Sequence, residues 1–201
     1  MGRYSLVVEV GSRELFSEAE EVLREAFGSS FRYARAVVDY GVASVAVAKL
    51  GGEVVGAVVF YRASFPRVRL CVIYYIAVLE GFRGMGLGSV LMSTAEEVCA
   101  DTDLYIATTW YGNDAADALY RSLGYTAYSW DELRRLLGRR VVDRLLKATC
   151  GYDDDVAYVK PNRGDDPLEL LRLVGYGDEE EVSRLWRETC LYTWLRIRGR
   201  A

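Results

Sequence analysis

Residues 80–90 read EGFRGMGLGSV, with glycines at alternate positions, Gly84, Gly86 and Gly88, directly after Arg83. Before them lies LCVIYYIAVL, residues 70–79, the most apolar run of the chain and rich in Val, Ile and Tyr. Such a run reads as a central strand. After them, Leu87, Val90, Leu91, Thr94, Ala95, Val98 and Cys99 recur at the spacing of one helical face. Each glycine inside an element costs about 0.5–1 kcal/mol, so a cluster of them between a strand and a helix asks for a reason. A helix start leaves backbone N–H groups unpaired and carries a partial positive charge. Phosphate oxygens are natural partners for those groups. Glycines let successive N–H groups turn inward, and an arginine adds a charge-assisted donor. The stretch is therefore expected to hold a pyrophosphate; the plain alternative is a glycine-rich turn with no ligand.

Two common phosphate motifs fit poorly. A P-loop requires Lys and Ser/Thr after its last glycine, whereas Ser89 and Val90 follow Gly88. A dinucleotide fingerprint requires a third Gly or Ala, and Ser89 stands there. The next strand, LYIATTW, ends without the acidic residue that would bind a ribose.

The 201-residue chain is half apolar with a net charge of −4. That suits one sizeable domain, or a domain with an extension, and argues against disorder. Mild acidity gives no reason to expect nucleic acid or anionic membranes as partners. The longest apolar runs are about ten residues, and a bilayer span needs roughly twenty. The start, MGRYSLVVEVGSRE, lacks the shape of a signal peptide, and Leu6 stands where a myristoylation motif at Gly2 wants Ser or Thr. A soluble, cytoplasmic protein is expected. There is no histidine, which removes the usual general base and the commonest metal ligand, so no metal is expected. Cys71, Cys99, Cys150 and Cys190 are far apart, without the spacing of a zinc or redox motif, and read as small buried hydrophobes. Glutamine is absent, asparagine nearly so, and arginine far outnumbers lysine. Loss of thermolabile amides fits a thermophile, in which an intracellular disulfide is less surprising; genomic base composition is the alternative source of the arginine excess.

Along the chain, Tyr4–Val10 reads as a strand. Ser12 is placed to cap a helix with Leu15, Phe16, Ala19, Val22, Leu23, Ala26 and Phe27 on one face, stopped by Gly28. Residues 29–42 carry no clear pattern. Ser44–Leu50 and Glu53–Tyr61 are strands joined by Gly51-Gly52, a hairpin signal. Pro66 marks a turn. Leu104–Thr109 is a strand, Asp114–Leu123 a helix ended by Gly124, and Tyr125–Ser129 a strand. Ser129 and Glu132 have capping-box spacing and open a helix with Leu133, Leu136, Leu137, Val141 and Leu145 inward. Val156–Lys160 is the last strand, PNRGDD (161–166) looks like a linker, and Asp178 with Glu181 opens a helix carrying Val182, Leu185 and Trp186. The order predicts a mixed α/β, or α+β, layered fold with a helical tail.

The glycine stretch resembles the acetyl-CoA signature of the GNAT (Gcn5-related) N-acetyltransferases, [Q/R]-x-x-G-x-[G/A], filled by Arg83, Gly86 and Gly88. A second block, Asn113 to Tyr125 (NDAADALYRSLGY), resembles the family's N-x-x-A-x-x-L-Y-x-x-x-G-[F/Y]. The two blocks are separated by the length of a helix and a strand, and the likeness covers about residues 44–130. It implies a central twisted, mostly antiparallel sheet whose fourth and fifth strands splay apart, with flanking helices. Residues 1–160 would be the acetyltransferase domain, with a helical insertion near 131–149, and residues 161–201 a helical C-terminal extension. That extension would be packing, an oligomer surface or a lid, with Trp186 and Trp194 available to any of these; a homodimer is left open.

The resemblance also implies a cofactor, acetyl-CoA, with CoA as product. Backbone groups of Ala77 and Val78 would bind the pantetheine arm, and the Val78 N–H would polarise the acetyl carbonyl. The amides of Arg83, Gly84, Met85, Gly86, Leu87, Gly88 and Ser89 would hold the pyrophosphate. Asn113 would touch the arm. Tyr120 would bind near the thioester and protonate the departing thiolate. An alkylamine is mostly protonated at neutral pH, so a base must take its proton. Family members carry Glu on the fourth strand or five residues before the asparagine; here the first region holds no carboxylate and the second position is Thr108. Glu80, Asp39 and Glu53 are weak substitutes. Hydroxyls of Thr108, Thr109, Tyr74 or Tyr75 would instead order a water that carries the proton away.

The expected function is acetyl transfer by direct attack of a primary amine: a protein N-terminus, a lysine, a polyamine or a small amine. The missing Glu keeps open a non-catalytic CoA-binding sensor of the same fold. A nucleotide-dependent oxidoreductase, which would bind NAD and not CoA, is a third reading.

Overall fold

The computed structural model describes residues 5–199. The expected strand start at Tyr4 and the myristoylation reading at Gly2 lie outside them. Among the described residues seven strands are ordered β1-β2-β3-β4-β5-β7-β6, a mostly antiparallel sheet in which β4 and β5 run parallel. The chain divides into two compact units. Among the described residues no helix is long and apolar enough to cross a membrane.

The first unit comprises the residues up to Tyr61, Ile73–Val98 and those from Thr193 on. Strand β1 (Leu6–Gly11) pairs antiparallel with β2 (Ala43–Leu50), which pairs antiparallel with β3 (Glu53–Phe65). Leu50 sits opposite Glu53, so Gly51-Gly52 is a two-residue hairpin turn. Both glycines have positive φ, 60° and 91°, the backbone that a tight hairpin matched to strand twist requires. Helix α1 (Arg13–Phe27) buries Leu15, Phe16, Ala19, Val22 and Leu23 of the face its spacing predicts, while Ala26 is exposed and Phe27 half-buried in the last turn, and it ends at Gly28 with φ 54°. Ser12 does not cap it: its side chain makes no capping bond. The patternless segment after α1 folds as a short 3₁₀ turn (Gly28–Ser30) and helix α2 (Phe31–Asp39), burying Ala34, Val37 and Val38. Strand β4 (Val68–Val78) leads through a 3₁₀ turn (Glu80–Phe82) to α3 (Leu87–Val98). On α3, Leu87, Leu91, Met92 and Ala95 are buried. Met92 takes an inward place, while Val90, Thr94 and Val98, expected there, are only half-buried.

The second unit comprises Arg62–Val72 and Cys99–Tyr192. The start of β4 lies beside β5 (Leu104–Thr109), with the Asp103 amide donating to the Arg69 carbonyl at 2.9 Å. Strand β7 (Val156–Pro161) pairs antiparallel with both β5 and β6 (Thr126–Ser129). Helix α4 (Asp114–Ser122) fills the β5–β6 connection. The helix expected after Ser129 is two helices, α5 (Trp130–Leu137) and α6 (Arg139–Thr149), broken at Gly138 with φ 86°. The Ser129 hydroxyl accepts from the Glu132 amide at 3.1 Å, as the capping box predicts. The break rotates the apolar stripe, so Leu133, Val141 and Leu145 are buried but Leu136 is exposed.

Helices α7 (Pro167–Leu173) and α8 (Glu180–Trp186) follow, then a π-helical turn (Arg187–Leu191) and α9 (Tyr192–Ile197), whose first residue closes this unit. Buried Arg144 of α6 organises the stretch between α7 and α8. Its guanidinium donates to the carbonyls of Val174, Tyr176 and Gly177 and pairs with Glu179 at 2.7 Å. Asn162 is anchored as well: its amide donates to the carbonyls of Ala100 and Thr102, and its Oδ1 accepts from the Tyr105 hydroxyl.

The cysteines are not free hydrophobes. Cys71 pairs with Cys99 and Cys150 with Cys190, across sequence separations of 28 and 40 residues. Separations this long carry no local signature, and pairing is set by which elements the fold brings together.

Candidate active site

The site residues fall in both units, and each group is described where it stands. In the first unit, β4 ends at Val78, and the Leu79 amide donates to the Val55 carbonyl at 2.9 Å. Ala77 is buried and Val78 half-buried. Neighbouring Gly56 on β3 is a close-approach position: a Cβ there would lie 3.1 Å from Leu91 Cδ1 and 3.2 Å from the Ala77 carbonyl oxygen. Its missing side chain lets α3 and the end of β4 pack together, which fixes the turn between them.

In that turn Gly84 and Gly86 have φ of 76° and 79°, a left-handed backbone that glycine adopts without a Cβ penalty. The first helical bond of α3 runs from the Val90 amide to the Gly86 carbonyl at 3.1 Å. Gly86 is thus the residue before the helix, and Leu87, Gly88 and Ser89 form its first turn. The Arg83 amide, expected among the pyrophosphate donors, instead donates to the Glu80 carbonyl at 3.2 Å and closes the 3₁₀ turn; among the described residues no amide from Gly84 to Ser89 has a protein acceptor. The first turn carries no acidic residue, so nothing in it competes for those donors. Arg83 Nε donates to the Val78 carbonyl at 3.2 Å, tying strand end to turn and leaving both terminal guanidinium NH₂ groups without a protein partner among the described residues. Met85 is 61% exposed at the tip. Open, unpaired amides at a helix start beside a guanidinium fit a diphosphate.

Tyr74 and Tyr75, two of the expected hydroxyls, belong to an aromatic row in this unit. Tyr75 meets Phe27 edge-on at 4.7 Å, and Tyr74 meets Tyr61 at 5.3 Å. The weak carboxylate candidates are no better than expected. Asp39 pairs with Arg13 at 3.0 Å, and Glu53 and Glu80 are exposed.

In the second unit, Asn113 precedes α4 as its cap. Its Oδ1 accepts from the Ala116 amide at 3.3 Å, and its Nδ2 donates to Thr109 Oγ1 at 2.9 Å, joining helix start to strand end. One amide hydrogen of Asn113 is left for a ligand. Tyr120, on the same helix, is 4% exposed, its ring packed against Tyr158 at 4.9 Å and Tyr125 at 5.7 Å. Its hydroxyl makes no hydrogen bond to the described residues. Burial first, and then the charges of Asp154 and Tyr158, push it well above the usual tyrosine range. It therefore stays protonated at neutral pH, the state an acid needs.

Thr108 is half-buried on β5. Its Oγ1 donates to Asp154 Oδ2 at 2.5 Å. Asp154 comes from the turn that joins α6 to β7, pressed against the end of β5 by several bonds. The Asp155 amide donates to the Thr109 carbonyl at 3.0 Å, and the Tyr111 amide donates to Asp155 Oδ2 at 2.9 Å. Gly151 permits this approach, since a Cβ there would lie 3.1 Å from Thr108 Oγ1. Burial raises the Asp154 carboxyl above the usual carboxylate range, the Thr108 hydrogen bond lowers it, and Asp153 and Asp155 raise it; the net shift is upward. Sequence reasoning passed over Asp154. The one signal available was the Asp153-Asp154-Asp155 run just before the last strand, 46 residues from Thr108.

The profile of the Acetyltransferase (GNAT) family matches residues 12–125, more than half of the chain. Among curated proteins no sequence match is found. Solved structures share the fold. The IAA acetyltransferase from Bacillus cereus is 21% identical, covering 78% of this chain and 99% of its own, with a TM-score of 0.55. The ribosomal-protein-alanine N-acetyltransferase from Brucella melitensis biovar Abortus is 18% identical, covering 59% of this chain and 90% of its own, with a TM-score of 0.51. Aminoglycoside N-acetyltransferase AAC(6')-Iy, solved in complex with CoA, is 11% identical over 61% of this chain and 89% of its own, with a TM-score of 0.53.

Proposed function

The chain belongs to the acetyltransferase (GNAT) family, and from that premise we propose that it transfers an acetyl group from acetyl-CoA to a primary amine by direct attack. The observation that carries this is the turn from Gly84 to Ser89, where amides without protein acceptors meet a helix start and the Arg83 guanidinium. Those amides would take the diphosphate of CoA. The backbone of Ala77 and Val78 would take the pantetheine arm, with Asn113 contributing its remaining amide hydrogen. Acetyl-CoA supplies the activated acyl group; the chain binds it, orients it and handles the protons.

Transfer forms a C–N bond and breaks the C–S bond. The departing thiolate needs a proton, and Tyr120 is the buried, protonated hydroxyl suited to give it. Acceptor classes follow from the chemistry: a peptide N-terminus, a lysine, a polyamine or another small amine.

The test is calorimetric titration with acetyl-CoA, followed by thiol release in the presence of a panel of primary amines. Binding with turnover supports the enzyme reading. Binding without turnover across a broad panel supports the sensor reading, and no binding removes both. In the active protein, Tyr120→Phe is expected to lower kcat about 100-fold while the affinity for acetyl-CoA stays nearly unchanged. An equal loss of affinity would assign Tyr120 to packing instead.

A further inference from the structure

Thr108 and Asp154 make a short hydrogen bond, 2.5 Å, between a β5 hydroxyl and a carboxylate from the turn before β7. Among the described residues no Arg or Lys pairs with Asp154. A half-buried carboxylate without a cation is costly to keep, and one hydroxyl offsets only part of that cost. The turn is nonetheless built to deliver it. Gly151 removes the side chain that would strike Thr108, and the Asp155 amide docks on the Thr109 carbonyl. The Cys150–Cys190 disulfide fixes the start of the same turn. Unfavourable groups held in place by several devices tend to mark functional sites.

We propose that Asp154 supplies, through Thr108, the proton acceptor that β5 itself lacks. This rests on the acetyltransferase reading and names the base within it. The attacking nitrogen bonds to the acetyl carbon while its proton passes to Thr108 Oγ1, whose own proton passes to Asp154 Oδ2. Collapse of the tetrahedral intermediate breaks the C–S bond, and the thiolate takes a proton from Tyr120. Asp154 then releases its proton and Tyr120 regains one, so the amine has lost one proton and the thiol has gained one. Thr108 touches the amine; Asp154 positions and drains it. The titratable groups facing Asp154 are Asp153 and Asp155 in its own turn and Tyr120 on α4.

Asp154→Asn keeps an oxygen that accepts from Thr108 but removes the basicity. With the full chain, a primary amine from the panel that turns over, and pH varied from about 4.5 to 9, the expected result is a kcat about 100-fold lower with acetyl-CoA affinity retained. Wild type should lose rate at acid pH as Asp154 protonates, in addition to the titration of the amine itself, and the variant should lose that extra fall. Thr108→Val should match Asp154→Asn, the double variant should be no worse than either, and Thr108→Ser should recover rate.

A structural role predicts the opposite in stability. Because the folded-state pKa of Asp154 is raised, its ionisation costs stability as pH rises through that value. Asp154→Asn should therefore melt no lower than wild type at pH 7. A variant with wild-type rate and pH profile overturns the proposal. So does one whose rate falls only in step with its melting temperature. If wild type binds acetyl-CoA but turns over none of the amines, or binds none, the acetyltransferase reading fails and the proposal with it; the wild-type control separates that outcome from failure of Asp154 alone.

Discussion

Serine at all four cysteine positions is expected to lower the melting temperature by about 15–25 °C. The links Cys71–Cys99 and Cys150–Cys190 close loops of 28 and 40 residues in sequence. Loop-closure entropy assigns each about 3–4 kcal/mol of stability, drawn mainly from the unfolded chain. The two pairs should differ in their effect on activity. Cys71 lies on β4 and Cys99 just beyond the end of α3, outside the turns that carry the proposed chemistry. Cys150 directly precedes Gly151 and the three aspartates, so Cys150→Ser with Cys190→Ser should loosen Asp154 against Thr108 and lower kcat as well as stability. Thermal unfolding with and without reductant, with kcat measured on each double variant, checks both statements. Melting insensitive to reductant would show that the links contribute little.

Gly86→Val is expected to weaken acetyl-CoA binding by about 1,000-fold, the equivalent of losing two charge-assisted hydrogen bonds at roughly 2 kcal/mol each. Space is not the obstacle, since a Cβ at Gly86 would meet nothing within 4 Å. The obstacle is the backbone: φ is 79°, which a β-branched residue resists strongly. Valine would drive the turn toward negative φ and swing the amides of Gly86 and Leu87 away from a common centre. The turn is exposed and buries little, so melting in the absence of ligand should change only slightly. Calorimetry on the variant with acetyl-CoA reads the effect, and an unchanged affinity would remove the turn from the binding site.

Much of the fold was legible because its signals are local. The Gly51-Gly52 hairpin, the helix stop at Gly28, the Ser129 cap and the apolar face of α1 from Leu15 to Leu23 each depend on neighbours within a few residues, and each appears in place. The failures have physical causes. Ser12 has the right identity for a cap, but its φ and ψ of −134° and −121° lie outside the extended region that capping residues adopt, and its side chain makes no capping bond. The helix after Ser129 carries a continuous apolar stripe, yet Gly138 turns the chain and splits it in two. At the site, the glycine turn was readable since a strand, three glycines and a helix are adjacent in sequence. The Thr108–Asp154 pair was not, because its members meet only when β7 folds back beside β5. The same holds for the disulfides.

The central claim is that a diphosphate lies on the amides between Gly84 and Ser89. Calorimetric titration of the wild-type protein with CoA, with CoA lacking its 3′-phosphate, and with pantetheine tests it most directly. The first two are expected to bind with similar affinity and pantetheine, which has no diphosphate, at least about 100-fold more weakly, given two or more charge-assisted bonds lost. Pantetheine binding as tightly as CoA would contradict the claim.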